Sequence, residues 1–335
     1  MVLWDCRMWA SPHETREEKT MKKLVTIIIP AYNEEASLTT LYEQLCQVTS
    51  TLDNYLFEFL FINDGSTDAT QTILQQLSTN DARIAYVELS RNFGKEKAML
   101  AGFDYAKGDC AVIMDADLQH PPIVIVQMLE KWEEGYEDVF ARRLTRGKES
   151  WLRRWLTMKF YSLLANSTRF EVLQNVGDFR LIDRKCIEAL KQLRETERYT
   201  KGLFSWVGFK KIDVTFEQGD RLYGKSHWSL FQLGGLAIEG ITSFTTAPLR
   251  LATMLGFATG FYAIIYMIWT LIKVIIWGDP VAGYPTLICA MLFLGSVQLI
   301  CLGIMGEYLG RLFNESKHRP NYFVSSYHES QNKEA

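Results

Sequence analysis

Up to about residue 230, short apolar runs alternate with polar turns and amphipathic stretches; beyond residue 248 the chain becomes mostly apolar. Residues 24–29 form a β-rich run ended by Pro30, followed by a polar turn and an amphipathic helix over 36–49. Residues 57–62 read as a second strand ended by Asn63-Asp64-Gly65-Ser66, with a helix over 68–77. A third strand is expected at 84–88, a helix at 94–106, a central strand at 110–114, a helix at 122–133 and a further strand at 138–141. Strands alternating with helices of ten to fifteen residues predict an α/β fold, a doubly wound and mostly parallel sheet.

The apolar part predicts two membrane-spanning helices. Residues 251–276 carry one charge, Lys273, near the end, and residues 286–309 carry Glu307 near theirs. Each exceeds the roughly 20 residues that cross a bilayer. Their short connection, Gly278-Asp279-Pro280, has no Lys or Arg, whereas Arg250, Arg311, Lys317 and Arg319 flank the pair. Positive charge stays on the cytoplasmic side, so both termini and the large domain are expected there, on the inner membrane. In 151–167, Trp151, Leu152, Trp155, Leu156, Phe160 and Leu163 recur at helical spacing with Arg153, Arg154 and Lys159 between them. That pattern suits a core-packing helix or a basic helix lying in the membrane interface, and 228–245 offers a second such segment. The expected division is a leader at 1–21, which has neither a signal-peptide core nor helical periodicity and is expected to be disordered or to come from an upstream start. An α/β domain at 22–225, an interfacial segment at 226–248, two spans within 249–310 and a tail at 311–335 follow.

Composition changes this picture little. The 335 residues hold 36 Lys and Arg against 39 Asp and Glu, a net charge of −3, so nothing global points to nucleic acid. Six cysteines without a C-x-x-C pair read as small buried hydrophobes in a reducing compartment, with no disulfide or zinc.

The candidate chemistry sits at strand ends. The strand at 110–114 delivers Asp115 and Asp117 to its C-terminal tip, where open α/β sheets bind ligands. Two carboxylates at i and i+2, with Gln119 beyond, offer hard oxygens to one divalent cation, which typically also holds a diphosphate. Asp64 follows the second strand and can accept a hydrogen bond from a base N–H, although Asn-Asp-Gly-Ser is equally a turn and helix cap. Backbone groups of Pro30, Ala31, Asn33 and Glu34 and the Tyr32 ring could cradle a nucleobase and ribose. His120 reads as a turn residue.

Three series of residues carry a resemblance. Pro30-Ala31-Tyr32-Asn33-Glu34-Glu35, Asn63-Asp64-Gly65-Ser66-Thr67-Asp68 and Asp115-Ala116-Asp117-Leu118-Gln119-His120 resemble the nucleotide-sugar core of family 2 glycosyltransferases of the GT-A type. Ser90-Arg91-Asn92-Phe93-Gly94-Lys95 and Asn175-Val176-Gly177-Asp178-Phe179-Arg180, with the two apolar spans, narrow the likeness to polyisoprenyl-phosphate glycosyltransferases over about 22–315. The resemblance implies Mg²⁺ or Mn²⁺ held by Asp115, Asp117 and Gln119. It implies nucleotide-sugar recognition by residues 30–34, Asp64, Lys95, Asp115 and Ala116. Asp178 falls where that family places an acid near the acceptor, as a base, as an orienting group, or as a partner of Arg180; Asp117 and Asp178 are the expected catalytic pair.

The implied acceptor is polyprenyl phosphate, whose dianion needs cations. Arg142, Arg153 or Arg154, and Arg221 with Ser226 match the expected clamp, although His227 stands where many relatives carry Lys. Gln-x-x-Arg-Trp of processive synthases is missing; Glu197-Arg198-Tyr199 stands there. The expectation is therefore transfer of one hexose, glucose from UDP-glucose, to undecaprenyl phosphate with inversion. Other donors (UDP-GlcNAc, GDP-mannose, a 4-amino-arabinose nucleotide) and a non-catalytic membrane sensor are the alternatives. A flippase would act on the product. A homo-oligomer, a tetramer by resemblance, is expected, with 322–327 as an exchanged arm.

Overall fold

A computed structural model describes residues 22–143, 176–216, 247–277 and 283–331. Eight strands form one sheet in the order β7-β5-β6-β4-β1-β2-β3-β8. β1 (Lys23–Ala31), β2 (Tyr55–Asn63), β3 (Ile84–Leu89) and β4 (Cys110–Ile113) run parallel, as the sequence predicts. β5 (Asp138–Arg143) and β7 (Lys211–Phe216) share that direction. β6 (Val176–Asp183) runs antiparallel between β4 and β5, and β8 (Val324–His328) antiparallel along β3.

The pleat sorts the apolar side chains onto two faces. Val25, Ile27 and Ile29 of β1 join Phe57, Phe59 and Phe61 of β2 beneath α1 (Leu38–Thr49), α2 (Thr70–Asn80) and α4 (Val124–Glu133). Ile28, Leu60 and Ile62 face the other way, towards α3 (Lys95–Tyr105), α5 (Arg184–Gln192) and α6 (Thr200–Trp206). Because both faces are covered, the central strands are largely apolar, as in parallel sheets generally; among the buried exceptions, Thr26 of β1 and Glu58 of β2 satisfy each other, the hydroxyl donating to the carboxylate at 2.8 Å. Helix α3 lies close on β1: a Cβ at Gly102 would come 2.3 Å from Ile28 Cγ2.

Two long helices follow, α7 (Ala247–Trp277) and α8 (Tyr284–Ser316). They contact one another, with the Cys301 thiol donating to the Ala252 carbonyl at 3.5 Å. Among the described residues, 293–316 is long and apolar enough to cross a membrane, and the apolar stretch found in α7, 252–266, is shorter. The Thr253 and Thr259 hydroxyls return to carbonyls one turn back, which satisfies them within the helix. The C-terminal end of α8 is tied to the sheet domain. Arg311 pairs with Glu197 at 2.6 Å, and the Thr196 amide donates to Glu315 at 3.0 Å.

Beyond α8 the chain returns to the sheet. The Ser90 amide donates to the Phe323 carbonyl, Ser326 to Glu88 and Ser330 to Glu58, while the His328 ring stacks on Tyr86 at 5.3 Å. Within the single chain, the segment expected as an exchanged arm, 322–327, supplies most of β8 along β3. The tail expected at 311–335 holds the end of α8 and the strand β8. Of the cysteines, Cys110 and Cys186 are buried, but Cys46 and Cys301 are only partly so.

Candidate active site

Register explains how the carboxylates meet. β6 pairs with β4 so that Asp183 lies opposite Cys110 and Arg180 opposite Ile113. Continued two residues, the same ladder sets Asp178 opposite Asp115. Two carboxylates from strands of opposite direction would repel each other, and Lys95, first residue of α3, stands between them. Its Nζ is 2.6 Å from Asp115 Oδ1 and 2.7 Å from Asp178 Oδ2. Lys201, near the start of α6, adds a second ammonium 4.0 Å from Asp178 Oδ1. The Thr200 amide donates to Glu96 at 2.8 Å, which ties the start of α6 to that of α3.

The charges respond to this arrangement. Burial opposes ionisation of Asp178, but Lys95 and Lys201 outweigh it and hold its carboxyl below the usual value. Burial likewise works against the Lys95 charge, yet Asp115 and Asp178 push its ammonium well above the ordinary lysine range. Both groups are therefore ionised at neutral pH.

The Asp115–Gln119 turn is held from within. Asp117 Oδ1 accepts the Gln119 amide at 3.1 Å, and Leu118 adopts φ 61°, a left-handed conformation uncommon for a branched side chain. Such strain persists only where the surroundings enforce it, and it clusters at functional sites. His120 is 2% exposed, stacked on Phe179 at 4.8 Å, and its Nδ1 lies 3.4 Å from the donating Asp115 amide. Burial lowers its affinity for a proton, so it is a neutral prop beneath the turn, in keeping with its expected role.

The nucleotide-side loops are laced together. Asn33, at φ 55°, accepts the Thr67 amide at 2.8 Å, and its own amide donates to Ser66. The Glu34 amide donates to Thr70, and Tyr32 is left 46% exposed. Pro30 and Ala31 close β1 beside Ile62 and Asn63 of β2. Asp64 is buried; Oδ1 accepts the Phe93 amide at 2.7 Å and Oδ2 the Gly94 amide at 2.8 Å. Burial pushes its carboxyl up against these two bonds. Both oxygens are thus spent, in part, on positioning the loop that ends at Lys95. Gly65 at φ 65° serves the same junction: a Cβ there would lie 2.4 Å from the Arg91 carbonyl carbon.

On the acceptor side the expectations fare unevenly. Arg142, paired across the sheet with Val176, keeps its Nε 3.0 Å from Asp213 Oδ2, so in the structure it is balanced by a carboxylate. Arg153, Arg154, Arg221 and Ser226 lie outside the described residues, as do the expected amphipathic segments. The alternative pairing of Asp178 with Arg180 does not form; Arg180 turns instead to Asp138 at 3.0 Å. Lys201 and the Glu96–Thr200 bond were not singled out by the sequence, because neither belongs to a motif. A lysine following a short polar run after α5 carries no local signal of facing Asp178.

An open, largely parallel sheet with carboxylates gathered at one strand tip is the architecture of α/β enzymes that bind their ligands at the carboxyl ends of the strands. The profile of Glycosyl transferase family 2 matches residues 26–191, and that of the GtrB C-terminal hairpin matches 247–312. A glycosyltransferase of Synechocystis sp. is 43% identical over 301 residues, covering 90% of this chain and 94% of that protein. A bactoprenol glucosyl transferase of Shigella phage SfV is 40% identical over 302 residues, 90% of this chain and 98% of that one. A prophage bactoprenol glucosyl transferase homologue of Escherichia coli K12 is 39% identical over 300 residues, with 90% and 98% covered. The chain belongs to glycosyltransferase family 2.

Proposed function

We propose that this glycosyltransferase moves one glucose from UDP-glucose to a polyprenyl phosphate of the undecaprenyl type, with inversion at the anomeric carbon. The observation that carries the reading is likeness to bactoprenol glucosyl transferases over nine-tenths of the chain, catalytic domain and hairpin together. The convergence of Asp115, Asp178 and Lys95 supplies a reaction centre consistent with it.

The donor set suits a divalent cation. Asp115 and Asp117 are partly exposed carboxylates two residues apart, with Gln119 beyond. Among the described residues no group of three His, Cys, Asp or Glu could hold an ion alone. Two protein carboxylates completed by diphosphate oxygens and water is the pattern of Mg²⁺ and Mn²⁺ at phosphate sites. When bound, such a cation would supply Lewis-acid stabilisation of the departing diphosphate.

The remaining work falls to the chain. Tyr32 offers an exposed ring for the base, and the 63–70 loop, pinned to residues 33–35, offers its backbone to the nucleoside. Lys95 places a positive charge at the diphosphate end. The acceptor phosphate has a second pKa near 6, so it is mostly dianionic at pH 7 and needs little deprotonation. Asp178 is therefore read as the group that orients the acceptor or a sugar hydroxyl, with Lys201 contributing positive charge beside it; Arg142 would have to exchange Asp213 for the acceptor phosphate.

We further read α7 and α8 as a pair of membrane spans holding the domain at the cytoplasmic face of the inner membrane, with both termini on that side. The product would then pass to a flippase. UDP-GlcNAc, GDP-mannose or a 4-amino-arabinose nucleotide as donor would use the same residues.

The test is transfer of radiolabelled sugar to undecaprenyl phosphate by the purified full chain, with UDP-glucose, UDP-GlcNAc and GDP-mannose in parallel and Mn²⁺ or EDTA. One EDTA-sensitive lipid product from UDP-glucose is expected. A product from another donor alone would reassign the sugar, and polymer would overturn single transfer.

A further inference from the structure

We propose that Lys95 keeps a divalent cation off Asp115 until the donor diphosphate arrives, so that metal and nucleotide bind as a pair. The inference rests on the reading that Asp115 and Asp117 hold the metal. Its basis is the position of one ammonium group, 2.6 Å from Asp115 and 2.7 Å from Asp178. A Mg²⁺ or Mn²⁺ on Asp115 would sit roughly 2.0–2.2 Å from a carboxylate oxygen. It would share that carboxylate with a positive charge already within hydrogen-bond distance. Entering alone, it must displace Lys95 or endure the repulsion.

The diphosphate changes this balance. An ammonium carries three donors and no acceptor, so it leaves one anion readily only for another. Lys95 cannot retreat as a whole, because its backbone is rooted. The Phe93 and Gly94 amides just before it donate to the buried Asp64, and farther along the helix Gly102 packs closely on Ile28 of β1. Only the side chain can swing, and the phosphate oxygens of a bound donor are the anionic partners it would meet. Lys95 then exchanges Asp115 for diphosphate, and Asp115 is released to the metal that arrives with it. Asp178 keeps Lys201, at 4.0 Å, as its remaining cation. Lys95 is in this sense a positioning residue: it sets the order in which ligands assemble.

The experiment measures Mn²⁺ binding to the purified full chain, read from the electron paramagnetic resonance of free Mn²⁺, with and without UDP. Wild type is expected to bind Mn²⁺ weakly alone and at least tenfold more tightly with UDP. Lys95→Met, similar in length and uncharged, should bind Mn²⁺ alone at least tenfold more tightly than wild type, and the gain from UDP should shrink below threefold. Lys95→Arg keeps the charge and should keep the weak binding. Lys95→Gln, a second uncharged side chain, carries the same expectation as methionine should the latter not fold.

Uncharged variants that bind Mn²⁺ alone no more tightly than wild type, while UDP still tightens it, would overturn the proposal and leave the metal site standing. Wild type that binds no Mn²⁺ even with UDP, matching Asp115→Asn, would overturn the metal reading itself.

Discussion

Two ionic clusters share strand β6, two residues apart, and they are built to opposite ends. Arg180 and Asp138 are almost wholly enclosed, with side-chain exposures of 2% and 5%, and the guanidinium lies 3.7 Å over the Phe204 ring. Lys95, Asp115 and Asp178 form a cluster of similar closeness, but Lys95 is 43% and Asp115 26% exposed. The first pair is matched in charge and sealed. In the second, Lys95 is shared between two carboxylates, with Lys201 farther off at 4.0 Å from Asp178, and Asp178 Oδ1 is left without a hydrogen bond. A sealed pair holds strands together. An open cluster that shares one ammonium between two acids can exchange partners, which a site that binds and releases charged ligands requires.

Breaking the sealed pair should have the largest effect on folding. Arg180→Ala leaves Asp138 buried without its partner, a loss of about 3–5 kcal/mol of stability by the usual cost of halving a buried pair. Chemical denaturation of the detergent-solubilised protein would read it. Gly65→Ala comes next. The left-handed φ and the approach to the Arg91 backbone should cost about 1–3 kcal/mol, and nucleotide affinity, measured by calorimetry with UDP, should fall as the 90–95 loop shifts.

The open cluster sets a pH dependence. The Asp178 carboxyl titrates below its unfolded value of about 3.9, because Lys95 and Lys201 outweigh its burial. Its contribution to stability is therefore fully present above that unfolded value and lost as pH falls through the folded one. The stability gap between wild type and Asp178→Asn should be constant near neutrality and close on acidification. Comparison of the two unfolding curves between pH 6 and pH 3 would check it. The smallest effect is expected at the exit of α8: Arg311→Ala breaks a partly exposed pair with Glu197 and should cost about 1 kcal/mol or less in the same assay.

The half of the sheet from β1 to β4 was legible because its strands are apolar runs closed by turn residues, and its acids follow those turns directly. Expected bounds differ from the observed ones by a few residues at most. In the other half only β5 was legible, expected at 138–141 and found at Asp138–Arg143. Residues 176–183 contain Asp178, Arg180 and Asp183 among apolar positions, and nothing local states that this strand runs antiparallel. Yet that direction alone brings Asp178 to Asp115. β8, Val-Ser-Ser-Tyr-His, is a polar edge strand whose side chains are alternately half-buried and exposed, so it offers no apolar run to read. Lys95 was legible as a member of a motif but not as the bridge between two acids, since the second acid, Asp178, lies on β6, a distant strand whose pairing with β4 nothing local reveals. Arg142 looked free for an acceptor phosphate because Asp213, its partner, lies on a strand that the periodicity did not reveal.

The central claim is that the open cluster at the tip of β4 is the reaction centre. Its most direct test is the single-turnover rate of sugar transfer to undecaprenyl phosphate by Asp115→Asn, beside wild type and with thermal unfolding recorded for both. The account predicts a fall of at least about a thousandfold, on the order of 4 kcal/mol, with the unfolding midpoint within a few degrees. A rate within threefold of wild type would contradict it.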